Sequence, residues 1–187
     1  FFHSDEYRST MVRDMTYSAP YKQYDCTGAT PDNSWLTKDV EIVKKYYSDP
    51  KCTYTFSLGA YRGLVESTKY DNDPANIAKM KKDLPVFFVS GACDPVGNMG
   101  KGVEAARDKF VAAGMQDVSL KLYDNDRHEI LNETDREVVY EDLYAWMQKK
   151  TEAFRTTGAP ASPVLHGNTT RQQICISCTC SPKNSLI

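Results

Sequence analysis

Residues 84–91 read Leu84-Pro85-Val86-Phe87-Phe88-Val89-Ser90-Gly91. A short apolar run without polar alternation is typical of a strand that is buried on both faces, as in a parallel sheet covered by helices. An amphipathic stretch follows over residues 101–113 and stops at Gly114, so we predict a helix there. Residues 118–123 then alternate between apolar and polar side chains and predict a second strand.

A second helix is predicted after the polar segment 124–132. Its apolar face comprises Val139, Leu143, Trp146 and Met147. The order strand, helix, strand, helix predicts a parallel βαβα unit, which we place at residues 84–153. The fold class is therefore predicted to be α/β.

Two side chains that follow these strands are the candidate catalytic residues. Asp94 comes just after the first strand, and His128 comes just after the second. Parallel strands joined by a right-handed crossover end at the same edge of the sheet, about 4.8 Å apart. Ligands of open α/β sheets bind at this edge. An Asp and a His that meet there are suited to be the orienting acid and the general base of a nucleophilic hydrolase.

The blocks around both residues resemble the C-terminal part of α/β-hydrolases, specifically the monoacylglycerol lipase and lysophospholipase-like group, also called serine aminopeptidase-type. The matching blocks are residues 85–91, Asp94-Pro95-Val96-Gly97, residues 120–123 and Arg127-His128-Glu129-Ile130-Leu131-Asn132-Glu133. The resemblance implies that Asp94 is the acid and His128 the base of a catalytic triad. It also implies hydrolysis of carboxylic esters, monoacylglycerols or lysophospholipids, with no metal and no cofactor.

The resemblance extends upstream to a cap region and covers about Pro31 to Gln148. Residues 35–39 and Asp49-Pro50 look like the helical cap that precedes the terminal βαβα unit in this group. We therefore expect a partial α/β-hydrolase fold, with a cap and lead-in over residues 1–83. The cap is expected to contain helices over residues 37–47, 60–67 and 74–81, with Thr37 capping the first of them. Such a cap implies a small lipid or ester substrate and transient contact with a lipid surface. Residues 154–187 are expected to be a disordered tail.

The family's nucleophile is missing from the sequence. It belongs to a Gly-x-Ser-x-Gly turn, and none of the 187 residues forms that pattern. Ser57 and Ser90 are the nearest candidates, and neither has both glycines at the required positions. Because the nucleophile precedes the acid and the base in this fold, we expect the chain to be the C-terminal portion of an enzyme. Its main partner would be the missing N-terminal half, and the chain alone would be inactive.

Other interpretations of the same residues remain open. Asp94 before Pro95 could simply form a turn, and His128 could be a solvated loop histidine. The chain could be a non-catalytic interaction module, or a peptidase or another acyl hydrolase of the same fold. Gly97, Gly100 and Gly102 fit no phosphate-loop pattern, so they are better explained by the turn into the helix.

Charge and cysteine content restrict the partners and the compartment. The net charge is −2, with 23 basic and 25 acidic residues, and no basic stripe argues for nucleic acid.

Cys26, Cys52 and Cys93 are scattered, as expected of reduced thiols in a cytoplasmic protein. Two glycosylation sequons, at Asn132 and Asn168, keep a secreted protein as the alternative. His166 and the cysteines at positions 175, 178 and 180 could bind zinc, but free thiols are the favoured interpretation.

Overall fold

The computed structural model describes residues 3–156. Six α-helices and two strands make up most of this part of the chain. They are α1 (Thr10–Thr16), α2 (Val40–Ser48), α3 (Leu58–Asn72), α4 (Pro74–Ile77), β1 (Val86–Gly91), α5 (Lys101–Ala112), β2 (Val118–Tyr123) and α6 (Arg136–Thr156). Short 3₁₀ turns lie at Tyr21–Gln23, Pro31–Asn33 and Ile130–Asn132. Helices therefore precede a βαβα unit, which confirms the predicted α/β class.

Strands β1 and β2 pair in parallel. The register runs from Val86 opposite Val118 to Gly91 opposite Tyr123. Both strands therefore end at the same edge of the sheet, and the loops after them begin side by side. This register is what brings Asp94 and His128 into one neighbourhood.

Helices cover both faces of β1. Successive strand residues point to opposite sides of a sheet, and here Phe88 packs with Val103 of α5 on one side. Val89 packs on the other side with Val139 of α6. Phe88 and Val89 are each only 1% exposed. The unbroken apolar run of the sequence is thereby explained, because neither face of β1 meets water.

A third cluster of apolar side chains lies upstream of the sheet. Trp35, Leu36 and Val43 are buried there, with Tyr21, Tyr24, Cys26, Tyr46, Tyr47 and Val96 packed around them. The tyrosines of the first part of the chain, which show no sequence period, are therefore held by aromatic packing. Because Val96 follows Asp94 in the loop after β1, this cluster also touches the candidate site.

Four helices differ in detail from the sequence predictions. Helix α4 ends at Ile77, four residues before the predicted end at residue 81. Helix α2 begins at Val40 and its N-cap is Asp39, which accepts hydrogen bonds from Glu41 N and Ile42 N. The predicted cap, Thr37, instead contacts Asn132 and Glu133. Met147 of α6, predicted to be buried, is 37% exposed. Helix α3 is longer than the predicted stretch 60–67.

Helix α6 continues to Thr156, beyond the boundary predicted at residue 153. The rest of the expected tail lies outside the described residues, and so does the candidate zinc cluster around Cys175. Among residues 3–156, no helix combines the length and the apolar composition that crossing a lipid bilayer requires.

Candidate active site

Asp94 lies in the tight turn that follows β1. Its residue is 1% exposed. The Oδ1 atom accepts a hydrogen bond from the backbone N–H of Val96 at 2.8 Å, and the main-chain oxygen accepts one from Met99 N, also at 2.8 Å. The turn therefore fixes one carboxylate oxygen and leaves the other for a further partner.

His128 lies in the loop that follows β2, and this loop is bonded directly to the loop after β1. The N–H of Ala92 donates to Tyr123 O at 2.9 Å, and the N–H of Cys93 donates to Asp126 O at 2.8 Å. Gly91 makes this approach feasible, since a Cβ atom there would lie 2.2 Å from Arg127 O and Asp126 O. Any other residue would push the two loops apart.

The two candidate side chains meet. Asp94 Oδ2 lies 3.2 Å from His128 Nδ1. The carboxylate side chain is 2% exposed and the imidazole side chain is 18% exposed. If Asp94 accepts a hydrogen bond from Nδ1–H, then Nε2 is the basic nitrogen of the ring. A buried acid that orients a partly exposed imidazole is the arrangement required of a general base.

The segment that contains Trp35 and Leu36 holds the His128 loop from the other side. The N–H of His128 donates to Trp35 O at 3.3 Å, and the N–H of Glu129 donates to Leu36 O at 2.8 Å. The indole of Trp35 lies against the imidazole with 5.1 Å between ring centroids. These contacts restrict both the backbone and the ring plane of His128.

Arg127 and Glu133 support the site, although sequence reasoning placed neither in it and explained Glu133 by the dipole of the last helix. The Arg127 guanidinium donates to the main-chain oxygens of Asp32, Ser34 and Thr37 and lies over the ring of Tyr24. Glu133 is fully buried and accepts a hydrogen bond from Arg127 N at 2.8 Å. The sequence does indicate both residues in one respect, because they lie in the matching block 127–133, which also contains His128.

Three carboxylates converge beside this loop. Oxygen atoms of Asp126, Glu133 and Asp135 lie within 4.8 Å of one another, so among the described residues they are the group that could face a cation. The Lys38 ammonium already serves as that cation, at 2.7 Å from Asp126 and 3.4 Å from Asp135. Burial raises the pKa of Asp126 above its ordinary value, although Lys38 opposes the shift. Burial lowers the pKa of Lys38, but its bond to Asp126 and the nearby carboxylates outweigh that effect and raise it overall.

The serines nearest to the missing motif have structural roles. Ser57 caps helix α3 and accepts a hydrogen bond from Ala60 N at 3.2 Å. Ser90 is 4% exposed within β1, and its hydroxyl donates to Gly91 O at 3.4 Å. Neither residue lies on a sharp turn between a strand and a helix, where this fold places its nucleophile.

The thiols of Cys26, Cys52 and Cys93 are free. Burial, followed by the charge of Asp25, raises the pKa of Cys26 to about 11. At neutral pH this thiol is therefore protonated and a poor nucleophile.

The parallel βαβα unit and the Asp–His pair at its carboxyl edge define the terminal part of an α/β-hydrolase. The chain belongs to the serine aminopeptidase S33 family, whose model matches residues 8–135. The match begins upstream of Pro31, where the resemblance was expected to begin, so it includes the tyrosine-rich segment. It ends before Gln148, within the last turn that precedes α6.

Two solved structures share the fold. One is a highly thermostable carboxyl esterase from Bacillus coagulans in complex with glycerol, with 23% identity and a TM-score of 0.66. It covers 78% of this chain, and the match takes in 47% of the esterase. The other is a lipase in its open form, with 22% identity and a TM-score of 0.62, for which the shares are 73% and 44%. The chain thus spans less than half the length of either protein.

Proposed function

We propose that this chain supplies the acid and the base of a serine hydrolase that acts on carboxylic esters. The observation that carries the proposal is the contact of 3.2 Å between Asp94 Oδ2 and His128 Nδ1, at the carboxyl edge of two parallel strands. The family match supports it, because the acid and the base of α/β-hydrolases follow the nucleophile in chain order.

In the proposed reaction, Nε2 of His128 takes the proton of a serine hydroxyl as its oxygen attacks the ester carbonyl. Asp94 stabilises the imidazolium that forms. The imidazolium then gives the proton to the departing alcohol as the carbon–oxygen bond breaks, which leaves an acyl-enzyme. Water, deprotonated by the same imidazole, releases the acid. The oxyanion is stabilised by backbone N–H groups of the upstream half.

The nucleophile is proposed to come from that upstream half. The 187 residues contain no Gly-x-Ser-x-Gly, and the two structural neighbours are more than twice as long as the segments that they share with this chain. The DNA upstream of the codon for Phe1 should therefore encode an in-frame Gly-x-Ser-x-Gly.

The substrate is proposed to be a monoacylglycerol or a lysophospholipid. Residues 1–83 would form the cap over its acyl chain and make transient contact with lipid surfaces. The two structural neighbours are a carboxyl esterase and a lipase, which favours an ester over a peptide bond. A cytoplasmic location is proposed because Cys26, Cys52 and Cys93 are free thiols.

Assays of nitrophenyl ester hydrolysis test the proposal. The purified 187-residue chain should show no turnover and no labelling by a fluorophosphonate probe. Adding the first half of a family member, with its Gly-x-Ser-x-Gly, should restore turnover. Asp94→Asn should lower the restored kcat on the order of 10⁴-fold, since the imidazole loses its orienting acceptor. His128→Ala should abolish it.

Two results would contradict the proposal. If the 187-residue chain alone hydrolyses the ester and His128→Ala abolishes this activity, the claim that the chain lacks a nucleophile is disproved. Restored turnover that persists in the His128→Ala variant would show that His128 is not the general base. An aminoacyl nitroanilide, measured in parallel, separates an ester hydrolase from a peptidase.

A non-catalytic interaction module is the second candidate. It is favoured by the sheet of the described part, where β1 and β2 pair only with each other and each has one edge without a strand partner. A stable soluble monomer that no upstream half activates would support this candidate.

A further inference from the structure

We propose that Glu133 is the positioning residue of the candidate base: its buried carboxylate fastens the backbone of the His128 loop to the cap segment Trp35–Lys38. The proposal rests on the function proposed above for His128. It concerns how the imidazole is held in place, and it assigns Glu133 no contact with substrate.

The two oxygens of Glu133 bind opposite sides of the clamp. Oε1 accepts a hydrogen bond from Arg127 N at 2.8 Å, one residue before the base. Oε2 accepts from Lys38 N at 2.9 Å and from Thr37 Oγ1 at 3.0 Å, both in the cap segment. In the same segment, the main-chain oxygens of Trp35 and Leu36 accept hydrogen bonds from the N–H groups of His128 and Glu129. Glu133 therefore completes a set of bonds that holds the loop on both sides of the imidazole.

Hydrogen-bond donors and charged groups surround the buried carboxyl group of Glu133. It is fully buried, and burying an anion without partners is costly. The three donors offset this cost, and the Lys38 ammonium lies 3.9 Å from Oε2. The other charged groups facing the cluster are Asp126, Asp135 and Arg136, whose guanidinium donates to Glu133 O at 3.0 Å.

The clamp requires two acceptor oxygens at the end of a glutamate side chain. A glutamine at this position would offer one acceptor, and its NH₂ group would face either Arg127 N–H or Lys38 N–H, donor against donor. An aspartate is one methylene shorter and cannot reach both sides. Glu133→Gln therefore opens the clamp while preserving the volume of the side chain.

The first measurement uses the 187-residue chain. The imidazole Nδ1–H that bonds to Asp94 should give a downfield proton resonance, assigned by its loss in His128→Asn. In Glu133→Gln this resonance should broaden or disappear because the imidazole is no longer held. The matched control is Glu129→Gln, which removes a charge beside the base but whose Oε2 bonds only to Asn132 Nδ2 in the contacts described. The control should keep the resonance.

The second measurement uses the chain activated by an upstream half. In Glu133→Gln, kcat should fall about 10- to 100-fold with KM within about twofold, since misplacing a catalytic group slows chemistry more than binding. Glu129→Gln should keep both constants. A folded Glu133→Gln variant with unchanged resonance and kcat would overturn the proposal.

A second pair of variants decides the matter if Glu133→Gln does not fold. Thr37→Val removes one donor of the clamp, and Thr37→Ser keeps it. A weakened resonance in Thr37→Val that is restored in Thr37→Ser supports the proposal, whereas equal spectra overturn it. Activity that survives His128→Ala would instead reject the proposed function and leave the resonance result standing.

Discussion

Gly91 lies where strand β1 and the loop that carries His128 approach each other closely. A Cβ atom there would overlap the main-chain oxygens of Asp126 and Arg127, and main chain cannot rotate away as a flexible side chain can. In the sequence, Gly91 only marks the end of an apolar run. Its packing role depends on a loop 35 positions downstream, so no local pattern reveals it.

Gly91→Ala should therefore separate the loops. We expect a loss of about 1–3 kcal/mol in the free energy of unfolding, the usual cost of overpacking, together with loss of the Nδ1–H resonance of His128. Denaturant unfolding and proton NMR measure the two effects.

Gly63→Ala is the control for this substitution. Gly63 lies in α3, and a Cβ atom there would have no heavy atom within 4 Å. Alanine is favoured over glycine in a helix by about 1 kcal/mol, so this variant should be slightly more stable than the parent. A Gly91→Ala variant as stable as Gly63→Ala would contradict the close approach.

Glu133 shows a second limit of sequence reasoning at the residue scale. An acidic residue shortly before a helix is ordinarily explained by the helix dipole. Here the side chain turns inward and binds Arg127 nearby and Thr37 and Lys38 more than 90 positions upstream. A buried carboxylate is identified only when its partners are known.

At the scale of single elements, helix α6 offers adjacent valines in opposite environments. Val139 is fully buried against Val89 and Ile130, whereas Val138 is 50% exposed. Val139→Ala should lower the free energy of unfolding by about 2 kcal/mol because it leaves a cavity beneath the sheet. Val138→Ala should change it by less than about 0.5 kcal/mol. Equal losses in denaturant unfolding would mean that α6 does not pack on β1 through this face.

Element boundaries in the βαβα unit follow from the sequence because the apolar period reports burial directly. Strand β2 has the predicted bounds, and α5 ends one residue before the predicted end. The apolar period does not predict burial correctly where packing against neighbouring elements determines which side chains are covered. Met147 has the spacing of a buried residue, yet 37% of it stays exposed, whereas Trp146 stacks on Phe87 with 5.5 Å between centroids.

The cap of α2 shows the same limit. Thr37 and Asp39 are both good N-cap residues, and local propensity cannot choose between them. The choice is made by the Thr37 hydroxyl, which bonds to Asn132 and Glu133 near the site. A contact between residues 95 positions apart thus sets the first residue of a helix.

At the scale of the molecule, the sheet of residues 3–156 has two strands, so each strand has one edge without a strand partner. Open edges pair with other chains, and β1 carries no charged residue that would oppose such pairing. The 187-residue chain should therefore self-associate as its concentration rises. Sedimentation velocity should show a shift to a defined complex when the upstream half is added. A monomer at every concentration would favour the interaction module.

The contacts described for Asp94 and His128 all come from segments between Tyr24 and Glu133. An acid–base pair assembled in this way needs no rearrangement when a nucleophile is docked beside it, only correct placement of the incoming surface. Hydrolysis of a nitrophenyl ester, seen as a yellow product, would then show that the two polypeptides have associated. The N-terminal halves of different family members could each be added to this chain, and the rates of ester hydrolysis would rank how well each half fits it.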